Sequence, residues 1–370
     1  MRKIGVAVVM VVIVAGCGSS SPAAHTTTKT ITETDTTATT ATGTTTSTTS
    51  TTASIPTGGP VPAGFEPSSF TAISDTNWWL IGQAPCSVKP CTSIVRTENG
   101  GASFVGLPAP RTSQVSQIRF ANPRDGYAFD PELWMTTDGG ESWTQLTAPQ
   151  GVSDLEISGG YAYAVTAVGS GQSILERFPV GSSVGDTLPG AGHPIGGLWA
   201  QGATVIVDSQ TNNASGNEML ISQNNGETFQ RFAPPPSVAC IFQAPDPSVI
   251  WAECPTGMLS GVWLSTDGGA NWQATGGDAH ASGMPAEPNS AAFGAASGTT
   301  AVYGYQQLYR TGNGGKSWSE LSKPAGITGW NYVAFTDPLH GVALGQSGGN
   351  SEQLYYTTNG GLSYHLVSIN

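Results

Sequence analysis

An eight-residue pattern recurs along this chain and constrains its fold more than any other feature. It reads Thr or Ser, any residue, Asp or Asn, any residue, Gly, any residue, then Ser, Thr or Asn, and finally an aromatic residue. The six copies end at Phe104, Trp143, Phe229, Trp272, Trp318 and Tyr364. Successive aromatic residues are 39, 86, 43, 46 and 46 residues apart, so the double interval predicts one decayed copy within residues 176–187. The period therefore predicts seven units.

Each unit also contains two apolar stretches separated by a short polar turn, upstream of the octapeptide. In the last unit these are Val333–Phe335, the turn Asp337–His340, and Gly341–Leu344. Short apolar runs bounded by turn residues are typical of strands. Each unit therefore predicts four strands: two around the polar turn, a third that enters the octapeptide and a fourth that leaves it.

The residue types of the octapeptide favour a role in forming a turn over a role in catalysis. An Asp or Asn side chain can accept hydrogen bonds from backbone amides just ahead of it, Gly tolerates positive φ, and the hydroxyl holds the returning strand. The aromatic residue can then fill the space between neighbouring sheets. Because an amide is a poor general acid, the mixture of Asp and Asn indicates a structural role for the third positions, which are Asn99, Asp138, Asn224, Asp267, Asn313 and Asn359.

Seven four-stranded units of this length predict an all-β fold, a seven-bladed β-propeller of four-stranded antiparallel blades over residues 65–370. No unit can bury both faces of its sheet alone, and a closed ring buries all of them while leaving short edges. The competing architecture is a β-sandwich or a pair of smaller domains, but no linker-like break interrupts the period. Because the units begin on an inner strand near Phe70 and end on an outer one, residues 361–369, we expect closure without strand exchange.

The N-terminus has the features of an export signal, residues 1–16. Arg2 and Lys3 precede an apolar stretch, Ile4–Gly16, which is too short to span a bilayer. The following Val14-Ala15-Gly16-Cys17 resembles the lipobox of bacterial lipoproteins, which implies that Cys17 carries the lipid. The competing interpretation is an ordinary secretory signal with a chance cysteine.

Residues 17–64 are predicted to form a lipid-bearing, disordered, Thr-rich stalk. Residues 26–54 contain 18 Thr in 29 positions and almost no large apolar side chains. Such a segment cannot bury enough surface to offset the entropy of ordering it. We therefore expect a domain that is held away from the cell membrane, in an extracytoplasmic location.

The cysteine count agrees with export. Five cysteines make an odd number, and assigning Cys17 to the lipid leaves four for disulfides, with three possible connectivities. The spacing favours local pairs, Cys86 with Cys91 and Cys240 with Cys254. The second pair is equidistant from a predicted hairpin turn centred on Pro247, so its members would face each other across an antiparallel ladder.

Charge and motifs exclude several function classes. The formal net charge is −12, and no cluster of Lys or Arg follows the signal, which argues against nucleic acid as a partner. No Ser-His-Asp order or nucleotide-binding loop is present in the sequence. We therefore expect no cofactor and no metal, and we expect a monomer.

The repeat resembles known families. Its hairpins are similar to the Asp-box repeats of bacterial sialidases, sortilin-type receptors and the photosystem II assembly-factor propellers, over residues 65–370. The repeat is most similar to that of the last group. The resemblance lies in Phe335-Thr336-Asp337-Pro338, followed by Gly341-Val342-Ala343 and then by Thr357-Thr358-Asn359-Gly360-Gly361. Since one fold serves many functions, the resemblance implies architecture rather than activity.

The sialidase resemblance implies an active site with three arginines on the face opposite the octapeptides. Strand order places the connections between second and third strands, and those between successive blades, on that face. Of seven arginines after the signal, only Arg111 and Arg119 can reach it. No segment resembles the Arg-Ile-Pro motif of that family, so the clamp is not favoured.

Loops on that same face, at 107–117, 208–218 and 275–290, vary in length and content, which is typical of binding surfaces on a rigid scaffold. The candidate ligand-binding residues are Arg111, Asp208, Asn212, Asp278, His280, Glu287 and Trp330. The competing interpretations are solvated loops for most of them and a core position for Trp330. Asp278, His280 and Glu287 share one loop but lack regular metal-ligand spacing.

These observations together predict a non-catalytic propeller that binds or scaffolds an extracytoplasmic protein or glycan and is anchored to the bacterial cell membrane by lipid alone. The alternative is a sialidase-like glycoside hydrolase. A hydrolase needs two carboxylates about 5–9 Å apart on the loop-bearing face. A binding protein needs only shape and a few polar groups there.

Overall fold

The computed structural model of the protein describes residues 57–86, 91–147, 151–169, 171–189, 195–210, 217–232, 235, 240–255, 259–275, 292–348 and 352–369. Within these ranges the strands form seven antiparallel sheets, each of four consecutive strands in the order first-second-third-fourth. The predicted fold class, a seven-bladed β-propeller of four-stranded blades, is confirmed. Residues 1–56, which include Cys17, lie outside the described residues.

The strand bounds follow the predicted units, one sheet after another along the chain. They are β1 Glu66–Ala72, β2 Trp78–Ala84, β3 Cys91–Thr97, β4 Val105–Leu107; β5 Gln117–Phe120, β6 Gly126–Phe129, β7 Leu133–Thr136, β8 Thr144–Leu146; β9 Val152–Ser158, β10 Tyr161–Gly169, β11 Gln172–Pro179, β12 Asp186–Thr187; β13 Ile195–Gln201, β14 Thr204–Gln210, β15 Asn217–Ser222, β16 Gln230–Arg231; β17 Ile241–Asp246, β18 Val249–Pro255, β19 Ser260–Ser265, β20 Gln273–Ala274; β21 Ala292–Ala295, β22 Ala301–Gly304, β23 Tyr309–Thr311, β24 Ser319–Glu320; β25 Ile327–Phe335, β26 Gly341–Ser347, β27 Glu352–Thr357 and β28 His365–Leu366.

Alternation along each strand sends apolar side chains to both faces of its sheet. In β2, Trp78 and Leu80 pack between the first and seventh sheets, whereas Trp79 and Ile81 pack between the first and second. All four side chains are fully buried. Each of the seven sheet-to-sheet interfaces in the described structure holds one such hydrophobic cluster. Burial on both faces explains why these strands contain almost continuous apolar runs.

Side-chain packing, and not strand exchange, closes the ring. The seventh sheet consists of β25 to β28 only. The indole of Trp78 lies 4.6 Å from the ring of Tyr356, measured between centroids, and the Tyr356 hydroxyl donates a 3.0 Å hydrogen bond to the carbonyl of Asp75. The ring therefore closes without strand exchange, as predicted from the positions of the first and last strands.

The segment before β1 lies against the outer edge of the first sheet. Gly59 and Gly106 exchange two backbone hydrogen bonds of 2.8 Å, and Val61 and Phe65 pack against the cluster between the first and seventh sheets. Composition had assigned residues 57–64 to the end of the stalk. In the structure they pair with β4 and cover an edge that would otherwise be open.

The octapeptides form hydrogen-bonded turns between the third and fourth strands. In the second sheet, Asp138 Oδ1 accepts from the Thr136 hydroxyl at 2.7 Å and from the backbone N–H of Ser142 at 2.9 Å. The equivalent bond to the backbone N–H of the seventh residue recurs in all six copies, between 2.8 and 3.0 Å. Gly140 has a φ of 94°, a conformation that favours glycine.

The aromatic residues that end the octapeptides pack between neighbouring sheets. Trp143, for example, packs between the first and second sheets, and its indole N–H donates to the carbonyl of Pro108 at 3.0 Å. The third sheet lacks the octapeptide, yet β11 and β12 still pair, with Glu176 opposite Thr187. The decayed unit predicted there is therefore a complete blade.

Both predicted disulfides form. Cys86 joins Cys91, and Cys240 joins Cys254, with Cα atoms 5.9 and 4.2 Å apart. Cys240 and Cys254 are buried in the cluster between the fourth and fifth sheets, beside the antiparallel pair Ile241 and Glu253. Two disulfides are typical of a protein that resides in an oxidising, extracytoplasmic compartment.

We predict that Asp138→Ala lowers the free energy of unfolding by roughly 1–2 kcal/mol, because it removes the acceptor for Thr136 and Ser142. Asp138→Asn should cost far less, since Asn99 makes the same contacts and also donates to the Ser103 hydroxyl. Urea denaturation of the two variants checks this. Equal losses for Ala and Asn would contradict the role given to the side-chain oxygen.

Candidate functional site

The ring has two unlike faces. The turn face carries the connections between first and second strands and between third and fourth strands; the loop face carries the connections between second and third strands and between successive sheets. First strands of neighbouring sheets contact one another and form the wall of a central channel. Each first strand runs from the loop face to the turn face, so its early residues lie nearest the loop face.

Charged side chains from different sheets meet in this channel. The Arg119 guanidinium of β5 is 1% exposed, and its Nη2 lies 3.6 Å from Oε1 of Glu156 in β9. Arg119 also lies over the ring of Phe129, 5.5 Å from its centroid, and its Nη1 donates to the carbonyl of Ile118 at 2.8 Å. Tyr332 of β25 lies within electrostatic range of both Arg119 and Glu156. We name Gln117, Arg119, Asp154, Glu156 and Tyr332 the channel cluster.

Polar side chains on the first strands also join neighbouring sheets. Oδ2 of Asp154 accepts from the backbone N–H of Leu198 in the next sheet at 3.3 Å. Ser69 and Thr71 accept in the same way from Ile118 and Phe120, both at 3.3 Å. These contacts give otherwise unsatisfied backbone donors a partner, so the polar residues of the channel wall stabilise the ring.

The two carboxylates of the cluster titrate abnormally. Burial raises the pKa of Glu156 to about 8, although Arg119 opposes the shift, and Asp154 adds to it. Burial also raises the pKa of Asp154 to about 6, again opposed by Arg119. Burial raises the pKa of the Tyr332 hydroxyl as well. Near neutral pH the pair of carboxylates therefore retains about one proton, and Arg119 balances the remaining charge.

Three of the sequence-predicted candidates, Arg111, Asp208 and Trp330, lie within the described residues. Arg111 is exposed in the loop between β4 and β5, whereas Asp208 is buried in β14 with 5% exposure. Asn212, Asp278, His280 and Glu287 lie outside the described residues.

Trp330 needs correction as a candidate contact. Its side chain is only 1% exposed and packs in the cluster between the sixth and seventh sheets, with its ring 5.3 Å from that of Tyr355. Alternation along β25 directs it into this interface, so in this structure it is a core residue.

Sequence reasoning missed most of the channel cluster because it sought ligand contacts in loops. A signal was nevertheless present in Val152–Ser158. Asp154 and Glu156 alternate there with Leu155 and Ile157, which are buried between the second and third sheets. Charges on one side of a first strand indicate residues directed to the channel. The sequence identifies Arg119 only as one of two arginines that can reach the face opposite the octapeptides.

Two kinds of feature are absent from the described residues. These residues contain no group of three or more His, Cys, Asp or Glu side chains placed to hold a metal ion. They also contain no helix with the length and apolar character needed to cross a membrane.

Comparison with known proteins establishes the architecture. No protein-family model matches the chain, and no curated protein does. Among solved structures, YCF48 bound to D1 peptide has a TM-score of 0.54 at 15% identity, covering 81% of this chain and 95% of that one. The fold is a β-propeller.

Other solved propellers of similar shape have other functions. The β-propeller domain of the Trilobed protease from Pyrococcus furiosus has a TM-score of 0.56 at 11% identity, covering 82% of this chain and 98% of that one. A puromycin-hydrolyzing peptidase from Mycobacterium tuberculosis has a TM-score of 0.59 at 13% identity, covering 84% of this chain and 56% of that one. Identities this low show the fold alone.

We predict that the free energy of unfolding falls as pH rises from 5 to 9. The raised pKa values of Asp154 and Glu156 mean that the folded state favours their protonated forms. Their stabilising contribution is full below the ordinary carboxyl pKa and is lost as pH passes about 6 and then about 8.

Glu156→Gln should flatten the upper part of this fall, because an amide stays neutral. Glu141→Gln, at an exposed octapeptide position, is the control and should keep the wild-type slope. Urea denaturation at pH 5, 7 and 9 measures all three proteins. An unchanged slope in Glu156→Gln would show that Glu156 is ionised throughout.

Proposed function

We propose that this protein is a lipid-anchored, extracytoplasmic propeller that binds a protein or glycan through its loop face and does not hydrolyse it. The contrast between the two faces carries the proposal. On the turn face, every connection between first and second strands has either two residues, as at 159–160, or five, as at 121–125. On the loop face, connections between sheets range from five residues, 147–151, to seventeen, 275–291. Variation confined to one face of a rigid scaffold is typical of a binding surface.

A propeller of similar fold supports binding of a protein segment. YCF48 has a solved structure with D1 peptide bound. That structure shows that a propeller of similar fold can bind a peptide. At 15% identity the ligand itself does not carry over, so our proposal extends only to the class of partner.

The anchoring part of the proposal rests on the N-terminal sequence and the disulfides. Val14-Ala15-Gly16-Cys17 supports lipidation of Cys17, and the Thr-rich segment 26–54 supports a stalk. The disulfides Cys86–Cys91 and Cys240–Cys254 support an oxidising compartment. All three observations favour a domain displayed outside the cytoplasm.

One observation favours the alternative, a sialidase-like glycoside hydrolase. Tyr332 and Glu156 share the channel, and sialidases use a tyrosine nucleophile. The charge of the channel opposes this function. The charge of Arg119 is already balanced by the carboxylate pair of Asp154 and Glu156, so Arg119 has no net positive charge to offer a carboxylated sugar. Binding without hydrolysis is therefore the function that we retain.

We predict that a pull-down from extracytoplasmic proteins and glycans recovers a partner that depends on the loop face. Arg111→Ala, combined with alanine at Asp278, His280 and Glu287, should lower its recovery at least about tenfold, a loss of roughly 1.4 kcal/mol in binding. The melting temperature should stay unchanged, because these are loop positions. Glu141→Ala on the turn face is the control and should retain the partner.

Two results would contradict this proposal. Loss of the partner in Glu141→Ala alone would assign binding to the turn face. Turnover of sialosides or other glycosides by the purified protein, abolished by Glu156→Gln, would assign it to the hydrolases.

We predict that a fatty-acid probe labels the protein in cells and that Cys17→Ala abolishes the label, because the lipid is carried by the thiol at that position. The variant should also leave the membrane fraction. Ser19→Ala, two residues away, is the control and should keep both label and location. Label that persists in Cys17→Ala would exclude lipidation at this cysteine.

A further inference from the structure

The end of the channel cluster nearest the loop face holds an unsatisfied acceptor. Ile118 and Phe120 pack between the first and second sheets, so alternation directs Gln117 and Arg119 to the other side of β5, where Arg119 meets Glu156. Gln117 is only 8% exposed, and its buried Oε1 has no hydrogen-bond partner among the described residues. A buried carbonyl oxygen without a donor is unfavourable, and a ligand that supplies an N–H group would remove the cost.

Two further carboxyl groups, those of Asp130 and Glu156, and one guanidinium, that of Arg119, lie within electrostatic range of Asp154 at this place. Of the four carboxyl oxygens of Asp154 and Glu156, one accepts from the backbone N–H of Leu198 and one faces the Arg119 guanidinium. Asp130 lies near enough to raise the pKa of Asp154 further. The buried Tyr332 hydroxyl also has no hydrogen-bond partner among the described residues. A complementary ligand would therefore be positively charged and rich in N–H donors.

The position of these groups gives the direction of access. Gln117 precedes Arg119 by two residues in β5, and Asp154 precedes Glu156 by two residues in β9. Gln117 and Asp154 therefore lie nearer the loop face. Asp154 is partly exposed, whereas Arg119 and Glu156 are buried. Arg119 and Glu156 therefore lie farther from the loop face than Gln117 and Asp154, and we name the loop-face end of the channel cluster the recess.

We propose that this recess binds one cationic side chain, a lysine ammonium or an arginine guanidinium, of a protein partner. The bound cation donates to Gln117 Oε1 and to Asp154, and its charge takes the place of the proton that the carboxylate pair otherwise retains. The identity of the donor as a partner's side chain rests on the proposed function. The recess itself is a property of the channel wall and is tested separately.

The test uses the purified full chain and two peptides that differ in one charge, acetyl-Gly-Lys-Gly-amide and acetyl-Gly-norleucine-Gly-amide. Calorimetric titration at pH 7 should show binding of the lysine peptide with release of a proton, seen as a buffer-dependent heat. The norleucine peptide should bind at least about tenfold more weakly. Methylammonium chloride should also bind more weakly than the lysine peptide, because it lacks the stem that packs along the channel.

Two isosteric variants locate the site. Gln117→Leu and Asp154→Asn should each weaken the lysine peptide about tenfold, while Glu141→Gln leaves it unchanged. Urea denaturation at pH 5, where the wild-type pair is protonated, provides the check on folding. There Asp154→Asn should match the wild type, and Gln117→Leu should be at least as stable because it removes an unsatisfied acceptor.

Several results would overturn the proposal: no heat with the lysine peptide, equal binding of the norleucine peptide, methylammonium binding as tightly as the peptide, or full binding by Gln117→Leu and Asp154→Asn. The outcomes also separate this proposal from the proposed function. If a loop-face partner bound both variants as tightly as the wild type, the proposed cation site would be refuted and the proposed binding function would be retained. If the lysine peptide bound but no loop-face partner were found, the cation site would be retained and the proposed binding function would be refuted.

Discussion

The structure depends on the burial of both faces of every sheet by its neighbours. A strand such as β2 places Trp78 in one interface and Trp79 in the next, so no sheet has a solvated face on which it could stand alone. Only a closed ring satisfies all seven sheets at once, and packing of Trp78 against Tyr356 closes it. Octapeptide turns and disulfides add local links between strands that this packing holds together.

Local features were predictable from the sequence because their partners are close along the chain. The octapeptides gave the third and fourth strands, and the turn at Pro247 gave the pairing of Cys240 with Cys254. The channel was not predictable in the same way. Glu156 meets Arg119 because two first strands come together across the ring, and no spacing in the sequence reports that distance. For Trp330 the sequence left a loop-face contact and a core position open for a related reason, since a first-strand side chain can face either the channel or an interface.

The channel cluster combines a structural and a binding role. Asp154 joins the third sheet to the fourth through Leu198, and Glu156 joins it to the second through Arg119. The same two carboxyl groups retain about one proton near neutral pH, because Arg119 balances only one of their two charges. A bound cation could take the place of that proton, so the recess is suited to a cation. Turns of only a few lengths on one face and loops of different length on the other are compatible with a recess held by the rigid part of the ring. Stability and recognition therefore use the same few residues.

Carbon-13 NMR of the side-chain carboxyl groups, followed through a pH titration, tests the central claim most directly. The account predicts one Asp carboxyl that titrates near pH 6 and one Glu carboxyl that titrates near pH 8, assigned to Asp154 and Glu156 by loss of each signal in Asp154→Asn and Glu156→Gln. A saturating lysine peptide should lower both midpoints, because a bound cation favours the ionised forms. Carboxyl groups that all titrate below about pH 5 would contradict it, since the channel would then hold fully ionised acids and no exchangeable proton.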